Sequence, residues 1–123
     1  MSGQESESQG MFEVKAVIRP FMLEKVLHAL AEIDAVPGVM VSAVRGWGRT
    51  RGQESSEFDP QTGYRIAEKT RIEVVLPAAS VSRVTAAIAS AARTGRPGDG
   101  KIFVYRVTEV VRIRTGEHGE QAI

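Results

Sequence analysis

A glycine-rich bend in the last third of the chain carries the residue types best suited to binding an anion. The segment Thr94–Lys101 has the sequence TGRPGDGK and leads directly into the apolar residues Ile102–Tyr105, which predict a strand. Because glycine has no Cβ, main-chain N–H groups in such a bend can approach a phosphate closely. Lys101 adds a positive charge where the bend ends.

Two arginines follow the bend at the spacing of a strand. Arg112 and Arg114 are two positions apart, so on a strand both side chains project from the same face. Guanidinium groups form strong hydrogen bonds with phosphate. The bend and the arginines together predict a cradle for an anionic ligand, most economically a nucleotide phosphate. The alternative is a helix end and a tight turn, followed by arginines on a solvated strand face or in a salt bridge between subunits.

The composition is that of an ordinary soluble single-domain protein. The chain has 123 residues, of which 42% are hydrophobic and 25% charged. The formal net charge of +1 argues against a nucleic-acid partner. The lack of cysteine excludes disulfides, thiolate catalysis and zinc–thiolate sites. We expect a cytoplasmic protein without membrane insertion, because the sequence has neither a signal-peptide pattern nor an apolar run that could cross a bilayer.

Hydrophobic periodicity predicts four strands and two helices. The predicted elements are, in chain order, strand 12–19, helix 22–33, strand 39–45, strand 69–76, helix 81–91 and strand 101–113. Ser80 is a candidate N-cap for the second helix, and Gly95 lies just past its end. The order βαββαβ is typical of the ferredoxin-like sandwich, an α+β fold. Alternation in the last strand predicts a core face formed by Phe103, Tyr105, Val107, Val111 and Ile113.

The domain organisation predicted from these patterns is simple. We expect the polar residues 1–10 to be a disordered leader, residues 11–116 to form the domain and residues 117–123 to form a tail. Residues 46–68 form a polar segment of about twenty residues, which is longer than most connections in a compact domain. Its acidic part, Glu54–Asp59, is either a solvated loop tip or a docking segment that becomes ordered on a partner.

Five blocks of this sequence resemble the PII signal-transduction family, in the order in which that family has them. The resemblance extends from Phe12 to the C-terminus. The blocks are FEVKAVIRPF at 12–21, VRGWGR at 44–49, KTRIEVV at 69–75, TGRPGDGKIFV at 94–104 and VRIRTGE at 111–117. The resemblance implies a homotrimer that binds adenine nucleotides (ATP, ADP or AMP) in the clefts between subunits. It also implies a protein that regulates a transporter or enzyme through a long T-loop, residues 49–68 here.

The resemblance also implies a role for individual residues. Lys101, Arg112 and Arg114 match phosphate-binding residues, Gly98 and Gly100 match positions that present main-chain N–H groups, and other matched residues line the nucleotide. The implied nucleotide-binding set is Gly46, Trp47, Gly48, Arg49, Val75, Gly98, Asp99, Gly100, Lys101, Arg112 and Arg114. Within this set, Val75 would line the base pocket. Trp47 has an alternative role in core or interface packing.

Departures from the family pattern concern a second effector and covalent modification. Thr50 stands where nitrogen-regulatory members have a glutamine that helps to bind Mg²⁺ and 2-oxoglutarate, whereas Lys69 matches the lysine that meets the 2-oxoglutarate carboxylate. Thr62 stands at the position of a modifiable tyrosine, and Tyr64 is two positions away. We therefore take Thr50 and Lys69 as the effector-binding candidates. These departures favour a divergent branch, such as those associated with carboxysomes and bicarbonate transport or with heavy-metal efflux.

The predicted function is therefore non-enzymatic sensing of adenine nucleotides, with Mg²⁺ and a small anion such as bicarbonate as possible co-ligands. One alternative is a 2-oxoglutarate-responsive nitrogen regulator, and another is a regulator linked to heavy-metal efflux. A slow nucleotide hydrolase is disfavoured, because the sequence has no P-loop, no histidine–carboxylate pair and no nucleophile beside a base. A structural or metal-binding trimer is the remaining alternative, with Glu117, His118 and Glu120 as weak candidate ligands.

Overall fold

The computed structural model describes residues 9–49 and 55–123, with the side chains of residues 55–58 left out of the description. Its elements are strand β1 (Met11–Ile18), a short 3₁₀ helix (Pro20–Met22), helix α1 (Leu23–Ala31), strands β2 (Met40–Gly48), β3 (Ser55–Asp59) and β4 (Tyr64–Pro77), helix α2 (Ala78–Ala92), strand β5 (Gly100–Val107) and a second 3₁₀ helix (Gly119–Ala122).

The strands form one antiparallel sheet. Four of them follow one another in the order β2-β4-β1-β5, and the fifth strand, β3, pairs with β4. The two central strands, β1 and β4, pair along the whole of β1, from Met11 opposite Pro77 to Ile18 opposite Thr70. Helices α1 and α2 pack against each other and cover one face of the sheet. The predicted α+β ferredoxin-like fold is confirmed.

The hydrophobic core lies between the helices and one face of the sheet, as expected from the alternation of apolar residues in the strands and the apolar stripes of the helices. Alternate residues of the central strands meet the apolar stripes of both helices. The fully or almost fully buried contributors are Val14, Ala16 and Ile18 of β1, Ile72, Val74 and Leu76 of β4, Val26 and Leu30 of α1, and Val84 and Ile88 of α2. Each buried aliphatic side chain contributes about 1.5–3 kcal/mol relative to leaving it exposed.

The predicted N-cap of the second helix is wrong. Helix α2 begins at Ala78, so Ser80 lies inside its first turn, and the N-cap is Pro77 in an extended conformation. Proline suits a helix entry because its fixed φ angle is already close to the helical value. Within the described residues, neither helix is long and apolar enough to span a membrane.

The described parts of the segment predicted as a long loop, residues 46–49 and 55–68, consist largely of strands. Strand β2 continues through Gly48, and β4 begins at Tyr64, where the sequence placed the strand start near Lys69. Strand β3 pairs with the same part of β4. The prediction failed here because a ribbon that projects beyond the core is held by its main-chain ladder and does not need apolar alternation.

The last strand is shorter than predicted, and its core face is the other one. Strand β5 ends at Val107, and Ile113, which lies beyond it in a turn, is 98% exposed. Ile102 lies opposite the buried Ala16 and packs against the core, so Phe103 and Tyr105 point to the open face of the sheet. There the ammonium group of Lys15 lies 5.5 Å and 4.9 Å from the centroids of these two rings.

Candidate functional site

The glycine loop, which we define as Thr94–Gly100, accepts hydrogen bonds from the buried side chain of Arg19. The Arg19 side chain is 1% exposed, and its Nε donates to Asp99 Oδ1 at 2.9 Å. Its Nη2 donates to the main-chain oxygens of Pro97 at 2.7 Å and Arg96 at 3.4 Å. A buried cation is tolerated when its charge is paired, and the Asp99 carboxylate provides that pairing for Arg19.

Asp99 extends this network into the first half of the glycine loop. Its Oδ2 accepts hydrogen bonds from the main-chain nitrogens of Thr94 at 2.8 Å and Gly95 at 2.9 Å, and its Oδ1 accepts one from the Thr94 hydroxyl. The Thr94 hydroxyl, followed by the Arg19 guanidinium, holds the pKa of Asp99 well below its usual range. Asp99 therefore remains an anion that organises its own loop.

Two glycines allow the loop to take this shape. Gly98 has a φ angle of +98°, and a Cβ on it would lie 3.4 Å from Arg19 Nη2. Gly100 has a φ angle of +105°, and a Cβ on it would lie 1.7 Å from the main-chain oxygen of Val17. Any side chain at position 100 would therefore collide with β1, whereas position 98 combines close contact with a backbone conformation that favours glycine.

A cavity of 510 Å³ opens beside the loop and is rich in positive charge. Lys69, Arg96 and Lys101 line it, together with Gly46, Gly98, Asp99 and Gly100 and the apolar residues Val17 and Phe103. Lys69 Nζ donates to the main-chain oxygen of Gly98 at 2.6 Å, which connects β4 to the loop. The volume is in the range of small-molecule sites, roughly 300–1,000 Å³, and the cations suit an anionic ligand.

The structure therefore brings together six of the residues singled out from the sequence. These are Gly46, Lys69, Gly98, Asp99, Gly100 and Lys101. Arg19 is the important residue that the sequence analysis missed, because Glu13, Lys15 and Arg19 alternate with apolar residues in the predicted strand 12–19 and are therefore expected to face away from the core. Its partner is 80 positions away, and the only local signal is that it ends a strand immediately before Pro20.

The other residues of the aromatic turn lie outside this cavity. Strand alternation puts Trp47 on the opposite face of the ribbon from Gly46, where it is 63% exposed and stacks on Tyr64 with ring centroids 4.2 Å apart. The guanidinium carbon of Arg49 lies 5.3 Å from the centroid of the Tyr64 ring. Trp47 is thus not a core residue, Gly48 is the last residue of β2, and Thr50 lies outside the described residues.

The predicted strand that carried both arginines is absent from the described chain. Arg112 and Arg114 lie in a tight turn in which Gly116 N donates to Arg112 O at 2.7 Å. Arg112 contacts Glu117 Oε1 at 3.3 Å and donates to the main-chain oxygen of Ile123 at 3.0 Å. Arg114 is exposed. Neither arginine lines the cavity within one chain, so the shared strand face was a wrong prediction.

Val75 is also distant from the cavity within one chain. It lies opposite Glu13 on the open face of the sheet, six positions along β4 from Lys69. At 3.2–3.4 Å per residue, that separation is about 20 Å. Val75, Arg112 and Arg114 therefore all lie outside the cavity that the glycine loop forms within one chain.

The weak metal candidates near the C-terminus do not converge. His118 Nδ1 lies 2.9 Å from Glu109 Oε1, whereas Glu117 contacts Arg112 and Thr115. Over residues 9–49 and 55–123, no group of three or more histidine, cysteine, aspartate or glutamate side chains could hold a metal ion. Residues 119–122 instead form a short 3₁₀ helix with Ala122 buried.

Solved structures that share this fold include two PII proteins. The ATP complex of GlnK from B. subtilis matches with a TM-score of 0.78 and 35% identity, over 100% of this chain and 99% of that one. PII of Arabidopsis thaliana bound to citrate matches with a TM-score of 0.75 and 37% identity, over 94% of each chain. Both similarities cover nearly the whole length of each protein.

Sequence comparisons agree with the structural ones. Nitrogen regulatory protein P-II of Rhodospirillum rubrum is 43% identical over 113 residues, 92% of this chain and 100% of the relative. The same protein of Synechocystis is 45% identical with the same coverage. The profile of the nitrogen regulatory protein P-II family matches residues 11–117, from the start of β1 to just past the turn with both arginines. With fold and sequence matched along this length, the chain belongs to the P-II family of signalling proteins.

Proposed function

We propose that this protein is a non-enzymatic, cytoplasmic sensor of adenine nucleotides. The observation that carries the proposal is the cavity beside the glycine loop, which Lys69, Arg96 and Lys101 line. Nucleotide phosphates are the anions that such an arrangement of cations and main-chain groups fits best. The ATP complex of B. subtilis GlnK, which matches the whole of this chain, supports the same ligand. The candidate nucleotides are ATP, ADP and AMP.

We further propose that the nucleotide lies between subunits of a homotrimer. Lys101 lies at the start of β5, and six residues of strand, about 20 Å, separate it from Val107 at the other end. Val75, Arg112 and Arg114 lie outside the cavity of their own chain. A neighbouring copy that supplies these three residues would complete the phosphate site, as the family resemblance implies.

A second anionic effector would bind near Lys69. This side chain lines the cavity at the base of the T-loop, and the citrate complex of Arabidopsis PII shows that a relative takes up a polycarboxylate. We propose bicarbonate as the first candidate. The alternative is 2-oxoglutarate, which is favoured by Lys69 but not by Thr50. Asp99 is the one carboxylate that lines the cavity among the described residues, and it is bonded to Arg19 and Thr94, so Mg²⁺ would enter with the nucleotide phosphates.

The output would be a change in the T-loop, residues 49–68, that alters affinity for a regulated transporter or enzyme. The ribbon of β2 and β4 connects this segment directly to Gly46 and Lys69 of the cavity. A ligand in the cavity therefore contacts the base of the loop, and differential binding to two loop conformations would shift their populations. The bonded state of Asp99 argues against a general base and hence against a hydrolase.

Calorimetry tests the proposal directly. ATP, ADP and AMP are titrated into the purified protein in the presence of Mg²⁺, each alone, with bicarbonate and with 2-oxoglutarate. Nucleotide binding that is strengthened by bicarbonate supports the proposed sensor, whereas strengthening by 2-oxoglutarate alone favours the nitrogen regulator. The absence of binding by all three nucleotides would refute the proposal. Steady phosphate release that is lost in an Arg112→Ala, Arg114→Ala double variant would instead indicate a hydrolase.

A further inference from the structure

We propose that Arg19 is a positioning residue for the nucleotide site, and that its pairing with Asp99 holds the glycine loop in its binding-competent shape. This inference rests on the proposed nucleotide function. It assigns a role to Arg19, which is buried beside the loop. It also gives Asp99 a role in holding the loop, where the sequence suggested direct contact with the nucleotide. The two side chains form one unit, which we call the Arg19–Asp99 clasp.

Burial shows that Arg19 acts through the loop. Its side chain is 1% exposed, so it does not reach a ligand in the cavity. Its guanidinium group is bonded to Asp99 Oδ1 at 2.9 Å, Pro97 O at 2.7 Å and Arg96 O at 3.4 Å, all of which belong to the glycine loop. A planar guanidinium group can bond several acceptors in fixed directions, which a lysine ammonium group cannot reproduce.

Asp99 transmits the same constraint to the other end of the loop. Its carboxylate bonds the main-chain nitrogens of Thr94 and Gly95 and also the Thr94 hydroxyl. The main-chain nitrogen of Arg96 in turn donates to the Thr94 hydroxyl oxygen at 3.2 Å. Both carboxylate oxygens of Asp99 are therefore bonded within the network of Arg19 and the loop, and Lys101, which follows the loop, supplies positive charge to the cavity.

The clasp matters because this segment is otherwise costly to order. It contains three glycines in seven residues, and glycine loses more conformational freedom on ordering than any other residue. A loop that a ligand must order binds more weakly than a loop already in its bound shape. Without the clasp, nucleotide binding would have to supply this ordering, and the position of Lys101 would vary with the loop.

The experiment compares four variants with the wild-type protein. Arg19→Met removes the charge at similar length, Arg19→Lys keeps the charge without the planar fork, and Thr94→Ala removes the hydroxyl that donates to Asp99 Oδ1. Arg83→Met is the matched control, because Arg83 is an exposed arginine near the start of α2. Calorimetry measures ATP affinity, and hydrogen exchange with mass spectrometry measures protection in the glycine loop and in the core strands β1 and β4.

We expect Arg19→Met to lose at least about tenfold in ATP affinity, equivalent to about 1.4 kcal/mol. Exchange should become faster in residues 94–101 and remain unchanged in the cores of β1 and β4. Arg19→Lys and Thr94→Ala should show smaller losses of ATP affinity and smaller increases of exchange in residues 94–101. Arg83→Met should match the wild type in both measurements. Rescue of part of the affinity by lysine separates positioning from a general loss of stability.

Two results would overturn the clasp. One is wild-type ATP affinity and loop protection in Arg19→Met. The other is a loss of ATP affinity that is accompanied by faster exchange across β1 and β4, not only in Arg19→Met but also in Arg19→Lys and Thr94→Ala. That result would show that the substitutions destabilise the whole fold. Should Arg19→Met fail to fold, Arg19→Lys and Thr94→Ala decide between these outcomes. If the wild-type protein binds no nucleotide, the proposed function fails, and loop protection alone still tests whether the clasp orders the loop.

Discussion

Lys69 Nζ donates a 2.6 Å hydrogen bond to the main-chain oxygen of Gly98, which joins two segments that are 29 positions apart. Lys69 lies on β4 at the base of the T-loop, and Gly98 lies in the glycine loop. Lys69 and Gly98 both line the cationic cavity, so a ligand in that cavity would lie next to this hydrogen bond. The contact gives a direct mechanical connection between the proposed phosphate site and the segment proposed to contact a target.

The first prediction is that Lys69→Met uncouples the two segments. In the wild-type protein, ATP binding should slow hydrogen exchange in both the glycine loop and the start of β4, residues 64–69, by about threefold or more. In Lys69→Met the glycine loop should still respond, whereas residues 64–69 should not, because the ammonium link is absent. Lys25→Met, which changes an exposed lysine on α1, is the control. Equal protection of residues 64–69 in Lys69→Met and wild type would contradict the coupling.

The second prediction concerns acid stability and follows from the low pKa of Asp99. The Thr94 hydroxyl and then Arg19 stabilise the ionised carboxylate in the folded state, so the folded pKa lies below the unfolded value of about 3.9. Between these two pKa values the unfolded chain binds more protons than the folded one. The stabilisation is therefore present above about pH 4 and is lost as the pH falls further through the folded pKa.

Thermal unfolding measured between neutral pH and strongly acidic pH checks this prediction. Asp99→Asn should have a lower unfolding midpoint than the wild type near pH 7, and the difference should shrink as the pH falls below about 4, because there the unfolded wild-type chain takes up a proton at Asp99 that the folded chain does not. Asp34→Asn, an exposed carboxylate after α1, is the matched control and should follow the wild type. A constant difference between Asp99→Asn and wild type over the whole range would show that charge on Asp99 is not responsible.

These results also show which features a single sequence can predict. Elements β1, α1, β2 and α2 follow from periodicity within a few residues, whereas β3 was not predicted and the bounds of β4 and β5 differ by five and six residues. The glycine loop could be recognised because the conformational freedom of glycine is a local property. The Arg19–Asp99 pair could not, since it joins residues 80 positions apart, strand alternation assigns Arg19 to the polar face, and Asp99 matches a residue that the family resemblance assigns to the nucleotide.

Strand β5 illustrates a different limit of sequence analysis. Apolar residues occupy both of its faces at positions 102–105, so alternation could not decide which side packs against the helices. Pairing of Ile102 with Ala16 of β1 decides it. Likewise, the spacing of Arg112 and Arg114 fits a strand, but the main-chain bond between Gly116 and Arg112 closes a turn there. Tertiary pairing overrides local pattern in both cases.

The third prediction is that Tyr64 holds Trp47 in place at the base of the T-loop. The two rings stack at 4.2 Å with an interplanar angle of 25°, and Trp47 is the sole tryptophan of the chain. Stacked pairs contribute about 0.5–1.5 kcal/mol beyond area burial. Tyr64→Ala should weaken the near-ultraviolet circular dichroism of Trp47 and shift its emission to the red, with little effect on the unfolding midpoint. Tyr64→Phe should retain both signals. An unchanged spectrum in Tyr64→Ala would show that the stack is not formed in solution.

The fourth prediction tests whether two subunits share each nucleotide site. Lys101 lines the cavity, whereas Arg114 is exposed in a turn outside the cavity of its own chain. Removal of a charge-assisted hydrogen bond costs on the order of 1.5–3 kcal/mol, so Lys101→Ala and Arg114→Ala should each lower ATP affinity about tenfold or more. Both variants should fold, because both side chains are exposed.

Mixed trimers then distinguish a shared site from a site within one chain. If each site takes Lys101 from one subunit and Arg114 from its neighbour, random mixing of the two variants leaves about a quarter of the sites with both residues intact. Calorimetry of co-refolded protein should therefore recover a tight-binding class at that occupancy, which separate refolding of either variant should lack. If both residues serve the same chain's site, every site in the mixture carries one substitution and no tight class appears. That result would remove the shared cleft from the proposed function while leaving the glycine loop and its clasp in place.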